Sequence, residues 1–130
     1  MDLPPELRLP GWPGPTLFTP EPPSMERGAV VIGTIRETQG EPTAYAAFVI
    51  REDGQVWLYD RTGAGPDRYV NASLETFLAC LTRFVEEWPA LSTAGTTELR
   101  DLFKAELTRI DPDCLRDKRG YWNTWMEPPT

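Results

Sequence analysis

One amphipathic segment constrains the fold of this chain more than any other feature of its sequence. Large apolar residues recur over residues 74–88 at the spacing of a single helix face: Leu74, Phe77, Leu78, Leu81, Phe84, Val85 and Trp88. Asn71 and Ser73 come just before this stripe, and both are favoured helix caps. The pattern predicts a helix over 74–88 that is ended by Pro89 and must bury one face against the rest of the chain.

Segments rich in β-branched and aromatic residues precede the helix and predict a sheet. The predicted strands span residues 29–35, 44–50 and 55–60, and a short edge strand over 68–71 leads into the helix. Apolar residues fill both sets of alternating positions in 44–50, which is typical of a central strand covered on both faces.

A tight hairpin is predicted between the second and third of these strands. Gly54 supplies the positive φ that such a turn requires. In the strand that follows, alternation predicts Val56 and Leu58 on one face of the sheet, and Trp57 and Tyr59 on the other.

A second helix is predicted over residues 98–110, and the polar stretch 92–96 connects it to the first. Its inner face consists of Leu99, Leu102, Phe103, Leu107 and Ile110. Asp111 and Pro112 then begin a short turn, and the aromatic residues Tyr121, Trp122 and Trp125 are expected to dock back onto the domain.

The fold class predicted from these elements is α+β, an antiparallel sheet with helices packed on one face. The length of 130 residues fits a single domain, which we assign to residues 29–130. Residues 1–28 are rich in proline and predict an extended segment. Trp12, Leu17 and Phe18 are expected to hold this segment against the domain.

Composition excludes several classes of function. The net charge is −7 and no basic patch stands out, so direct binding to nucleic acid or to an anionic membrane is disfavoured. A basic protein partner is easier to accommodate, although the charge can also serve solubility alone. The N-terminus has no apolar signal-peptide core, and no apolar run reaches the roughly 20 residues of a membrane span, so a cytoplasmic protein is expected.

Catalysis has little support in the sequence. The chain has no histidine, which removes the commonest general base and metal ligand. Acid pairs such as Glu52/Asp53 in a turn, Asp111/Asp113 at a helix start and Glu86/Glu87, which point in different directions on a helix, have structural explanations. The glycines of T-G-A-G-P-D over 62–67 do not form a phosphate-binding motif. Cys80 is expected to be a buried apolar residue, and a disulfide with Cys114 stays open. We expect no enzyme, metal or cofactor.

Several short motifs follow one another in a fixed order along the chain. G-x-V-W-L-Y-D over 54–60 precedes R-Y-V-N-A-S-L-E-T-F-L-A-C-L over 68–81. Next come L-x-R-I-D-P-D-C-L over 107–115, G-Y-W over 120–122 and an acidic residue, Glu127. With L-R-L-P-G-W-P over 7–13 and Phe18, these motifs resemble the fourth group of the SUKH immunity-protein superfamily, from about Leu7 to Glu127.

Two regions depart from the family pattern. Trp12 stands where the family has leucine, in an opening that is short and rich in proline, and the chain ends soon after Trp125. The resemblance implies an α+β domain that binds and neutralises a cognate toxin, often a nuclease or nucleic-acid deaminase, by occlusion. It implies no cofactor, no metal and no catalysis.

Exposed aromatic residues within an acidic rim are the expected anchors for a basic toxin. Around the loop and the helix start, this description selects Tyr59, Asp60, Asp67, Tyr69 and Glu75. Structural roles compete for each of them: strand end for Asp60, helix N-terminus for Glu75, and core packing for the tyrosines. A monomer that forms a one-to-one complex with its toxin is expected. The alternative is a regulatory or scaffold module that binds an endogenous protein.

Overall fold

A computed structural model describes residues 3–11, 16–36, 46–61, 66–94 and 96–126. Within these residues five strands are followed by three helices. The strands are β1 (Thr19–Glu26), β2 (Ala29–Ile35), β3 (Ala46–Ile50), β4 (Val56–Asp60) and β5 (Arg68–Asn71). The helices are α1 (Leu74–Ala94), α2 (Thr97–Ile110) and α3 (Tyr121–Met126). The strands pair antiparallel in chain order, and the predicted α+β class is confirmed.

The main hydrophobic core lies between one face of the sheet and the helices. Phe48 of β3 packs 4.9 Å from Phe77 of α1, measured between ring centroids, and Phe84 of α1 packs 5.6 Å from Trp122 of α3. Phe77, Leu81 and Phe84 are at most 1% exposed, which confirms the predicted inner stripe of α1. Burial of each such side chain contributes about 1.5–3 kcal/mol to stability.

Pro89 does not end α1, so this prediction is wrong. The helix continues to Ala94 and takes in residues that were expected in the connection to α2. Proline removes only one backbone hydrogen bond. Leu91, which follows it, packs against the core, and the hydroxyl of Ser92 donates to the Pro89 carbonyl at 3.4 Å. The packing of Leu91 against the core therefore outweighs the free-energy cost of a proline inside the helix.

The proline-rich N-terminal region contributes a strand that the sequence pattern does not predict. β1 contains three prolines, but it lies at the sheet edge, and its register with β2 shifts between Pro20 and Ser24. Edge strands tolerate prolines because one side of the backbone has no pairing partner. Leu17 and Phe18 are at most 2% exposed and belong to the main core. Trp12, Ala44, Tyr45, residues 62–65 and Glu127 lie outside the described residues.

Asn71 is not a helix cap, contrary to the prediction. Ser73 takes that role, since its hydroxyl accepts a hydrogen bond from the Thr76 amide at 3.2 Å. Asn71 is fully buried instead, and its amide donates to the carboxylate of Asp111 at 2.8 Å. Its carbonyl accepts from the indole of Trp122 at 2.9 Å. Asn71 therefore joins the end of β5 to the end of α2 and to α3.

Asp111 is the centre of this buried polar cluster. The side chain is 1% exposed, and the same carboxylate oxygen accepts from Asn71, from the Ala72 amide at 2.9 Å and from the Thr76 hydroxyl at 3.3 Å. The other oxygen accepts from the Asp113 amide at 3.0 Å. A buried carboxylate is tolerated only when it is hydrogen-bonded in this way.

The two cysteines are both buried and form no disulfide. A hydrogen bond with Cys80, reinforced by burial, raises the pKa of the Cys114 thiol. That thiol therefore stays protonated and packs as a small apolar group. The prediction for Cys80 is confirmed.

Replacement of Gly33 by alanine should destabilise the fold by about 2 kcal/mol or more. A Cβ at this position would overlap the ring of Phe18, which packs between Phe48 and Phe77 and cannot swing aside. Chemical denaturation measures the loss. In a Phe18→Leu background the same substitution should cost clearly less, because the obstructing ring is gone. An equal cost in both backgrounds would contradict this explanation.

Asp111→Asn should lower the free energy of unfolding by about 3 kcal/mol, because the new NH2 group faces a donor in either orientation: the Asp113 amide on one side, or Asn71 and Ala72 on the other. Denaturation by urea measures the change. Asp101→Asn removes the same charge from an exposed position on α2 and is the matched control. Similar stabilities of the two variants would show that the buried cluster is not critical.

Candidate partner-binding face

The sheet face that points away from the helices is called the open face below. Alternate residues of β2, β3 and β4 form a small second cluster on it: Ala29, Val31, Ala47, Val49 and Tyr59. All of them are at most 7% exposed. Residues 46–49 are buried on both sides of β3, which confirms the predicted central strand within its described part.

Tyr59 covers this cluster by lying across the sheet. Its hydroxyl donates to the carboxylate of Glu26 at the end of β1, and Arg61 pairs with the same carboxylate at 2.7 Å. The guanidinium of Arg27 lies over the Tyr59 ring, 4.7 Å from its centroid. The small side chains of Ala29 and Ala47 leave room for the ring. Tyr59 is therefore 4% exposed, and the partner-accessible group at this point is Arg27.

Trp57 and Tyr69 form a second aromatic cluster on the open face. Their ring centroids are 5.6 Å apart in an edge-to-face arrangement. The guanidinium of Arg51 stacks 3.7 Å from the Trp57 ring centroid and pairs with Asp67 at 3.1 Å. The Trp57 indole donates to the side chain of Gln55 at 3.1 Å. Both rings are half-buried and held from several sides before any partner arrives.

A cleft of about 350 Å³ adjoins these two rings. Its lining is Gln55, Trp57, Tyr69, Asp113, Arg116 and Asp117. Burial, together with the nearby charges of Asp111 and Asp113, raises the pKa of Tyr69 to about 12. Burial of the phenol is the main reason that it resists ionisation, and the two carboxylates add to the effect.

The structure brings together three of the five residues selected from the sequence. Tyr59, Asp67 and Tyr69 share the open face. Asp60 is half-buried and pairs in register with Ala46, whose side chain lies in the main core, so alternation places Asp60 on the helix side. Glu75 is exposed in the first turn of α1. Glu26 and Asp67 on the rim of the open face are each paired with an arginine, and Arg27 adds a third arginine, so these groups carry no net negative charge.

Sequence reasoning did not select Trp57, Arg51 or Arg27. The signal for Trp57 was present, because strand alternation places it on the same face as Tyr59. Arg27 lies in the turn between β1 and β2, and Arg51 directly follows β3. Only the register of the folded strands shows that each arginine stacks on an aromatic ring of the open face. Trp and Arg are the residues most enriched at interaction hot spots.

Neither edge of the described sheet favours docking by an added strand. Prolines in β1 remove backbone donors at the first edge. At the other edge, α3 packs against β5, and the Arg68 side chain donates to the Arg119 carbonyl at 2.8 Å. A partner is therefore expected to contact side chains on a face rather than the backbone of an edge.

A groove of about 460 Å³ between α1 and α2 is the competing surface. Its walls are mainly apolar, and Leu102 on its rim is 66% exposed. Among its lining residues, Arg83 of α1 pairs with Glu87 on the same helix and with Glu106 of α2, and the second pair joins the two helices. All the residues that line the groove belong to α1 and α2, so it is a separate surface from the open face.

The part of the chain that the structure describes contains neither a membrane-spanning helix nor a cluster of metal ligands. No helix in the described part is long and apolar enough to span a bilayer. The described residues also contain no group of three or more His, Cys, Asp or Glu side chains placed to hold a metal ion.

The raised pKa of Tyr69 predicts a specific loss of stability at alkaline pH. The unfolded phenol ionises near pH 10, so the stabilising contribution is complete below that pH and disappears as the pH rises to about 12. Tyr69→Phe lacks this ionisation. The stability of the wild type relative to Tyr69→Phe should therefore fall between about pH 10 and 12, measured by urea denaturation. A constant difference would contradict the raised pKa.

Comparison with known proteins identifies the family. The sequence model of the SUKH-4 immunity protein family matches residues 3–127, which is nearly the whole chain. No curated protein and no solved structure matches it significantly. The match includes the N-terminal segment, the sheet and all three helices of the described fold. The chain belongs to the SUKH-4 immunity protein family.

Proposed function

We propose that this protein neutralises a cognate toxin by covering it with the open face, in a one-to-one complex and without catalysis. The observation that carries the proposal is the Trp57–Tyr69 cluster, which is exposed in part and fixed by Arg51, Asp67 and Gln55. Membership of an immunity protein family supports the choice of a toxin as the partner.

Preorganisation is the physical reason that this cluster suits tight binding. An aromatic side chain that is already held by its neighbours loses little conformational entropy when a partner arrives. Trp57 is packed on three sides, by Arg51, Tyr69 and Gln55. Burial of its remaining exposed surface would therefore contribute to affinity with little ordering cost.

The charge of the whole chain supports a basic toxin. A nuclease or nucleic-acid deaminase must hold phosphates, and its substrate surface is then positive. A chain with net charge −7 attracts such a domain and raises the association rate. The charged groups on the rim of the open face carry no excess of negative charge, so this long-range attraction comes from the rest of the surface. The same negative charge disfavours direct binding to nucleic acid. As a further part of the proposal, the protein acts as a monomer in the cytoplasm.

Occlusion without catalysis agrees with the chemistry of the face. The chain has no histidine, and Glu26 and Asp67 are both neutralised by arginines. Asp111 is buried and used by the fold. These groups are poorly placed for general acid–base chemistry, which requires an accessible group with a suitable pKa.

The direct test is co-expression with the toxin domain encoded by the neighbouring gene. We expect this protein to co-purify with that domain and to restore growth of cells that express it. A scaffold role would instead show binding to an endogenous protein and no toxin gene nearby. Absence of both rescue and binding would overturn the proposal.

Trp57→Ala should weaken toxin binding by about a hundredfold, because it removes the central ring of the face. Isothermal titration calorimetry measures the affinity, and circular dichroism checks the fold. Leu102→Ala is the matched control, since it truncates an exposed apolar side chain on the competing groove. If Leu102→Ala lost affinity and Trp57→Ala kept it, the groove would be the interface.

A further inference from the structure

The hairpin between β1 and β2 contains a residue in an unfavourable backbone conformation. Glu26 pairs with Ala29, so Arg27 and Gly28 form a two-residue loop, and their φ angles are 51° and 79°. Two positive φ values define a type I′ turn, whose first position favours Asn, Asp or Gly. Arg27 is the one residue other than glycine with a positive φ in the described part of the chain.

Strain of this kind has a cause, which is either the surrounding contacts that hold the residue or a function that uses it. Stacking of Arg27 on Tyr59 stabilises it in part, but cation–π contacts at exposed sites are weak. Arg27 is not needed to satisfy the hydroxyl of Tyr59, because that hydroxyl already donates a hydrogen bond to Glu26. The local structure therefore gives no sufficient reason for arginine in place of asparagine.

The donors of Arg27 are available for a partner. The residue is exposed, and none of the described carboxylates pairs with it, because Glu26 is bound by Arg61 and by Tyr59. The Tyr59 ring fixes the plane of the guanidinium from below. A stacked guanidinium presents its donors in a fixed fork that matches the two oxygens of a carboxylate.

We infer that Arg27 binds a carboxylate side chain of the toxin and is a specificity-determining residue of the open face. The inference rests on the proposed function and adds a contact that the predicted residues did not include. It also gives Tyr59 a positioning role, since the buried ring holds Arg27 in place rather than touching the partner. A mainly basic toxin thus supplies an acidic group at this one position.

The test compares Arg27→Asn with the wild type, using the toxin domain of the neighbouring gene as the probe. Asparagine suits the turn, so the melting temperature should stay within about 2 °C of the wild type or rise. Toxin affinity should fall by about tenfold to a hundredfold, because a charge-assisted hydrogen-bonded pair is lost. Arg27→Lys keeps the positive charge but lacks the planar pair of N–H donors, so the affinity of this variant for the toxin should be intermediate.

Arg109→Asn is the matched control, because it removes the same charge from an exposed position on α2. Loss of a positive charge should by itself speed the approach of a basic toxin. A weaker complex with Arg27→Asn therefore cannot arise from long-range charge, and Arg109→Asn should bind as well as the wild type or slightly better.

Three outcomes would overturn the inference. If the wild type binds the toxin and Arg27→Asn binds equally, the inference is wrong while the proposed function stands. If Arg27→Asn melts several degrees lower without toxin, arginine is retained for the fold. If the wild type binds no toxin, the proposed function and this inference are both wrong.

Discussion

The hydrogen bonds to the carboxylate of Asp111 hold together the elements on which the rest of the structure depends. This carboxylate binds the end of β5 through Asn71 and the start of α1 through Ala72 and Thr76. Asn71 in turn binds Trp122 of α3. Three motifs of the family resemblance, over 68–81, 107–115 and 120–122, meet at this cluster, because they contribute Asn71, Asp111 and Trp122. These three residues share a structural role: all three are buried, and they fix how the helices pack on the sheet.

The two faces of the sheet use different physical means to exclude water. On the helix side, a deep core of aromatic and aliphatic residues stabilises the fold. On the open face, Tyr59 and Trp57 lie over small apolar residues and are held by arginine–carboxylate pairs. The open face is thus rigid while its outermost groups stay accessible. Such a surface suits recognition, because rigid aromatic and arginine side chains bind with little loss of entropy.

Much of the fold could be predicted from local sequence patterns, and the failures have physical causes. The stripe on α1 and the alternation in β4 identified the core-facing residues, because burial imposes those periods. β1 was not predicted, since proline disfavours strands except at an edge, and edge position is a property of the whole sheet. Pro89 and Asn71 were misjudged because their roles depend on distant partners, Leu91 against the core and Asp111 at the end of α2.

The candidate site was harder to predict than the fold. Acidity and proximity in sequence selected Asp60 and Glu75, which the folded chain places away from the open face. Arg27 and Arg51 come from turns, and only the register of the strands brings them over Tyr59 and Trp57. Contacts between residues far apart in sequence leave no periodic signal, so one sequence without a structure could not reveal them.

Hydroxyl-radical footprinting of the complex with the neighbouring gene's toxin tests the central claim most directly. The account predicts that Trp57 and Tyr69 become protected from oxidation in the complex, while Leu102 on α2 reacts as in the free protein. Protection of Leu102 with unchanged reactivity of Trp57 would contradict it.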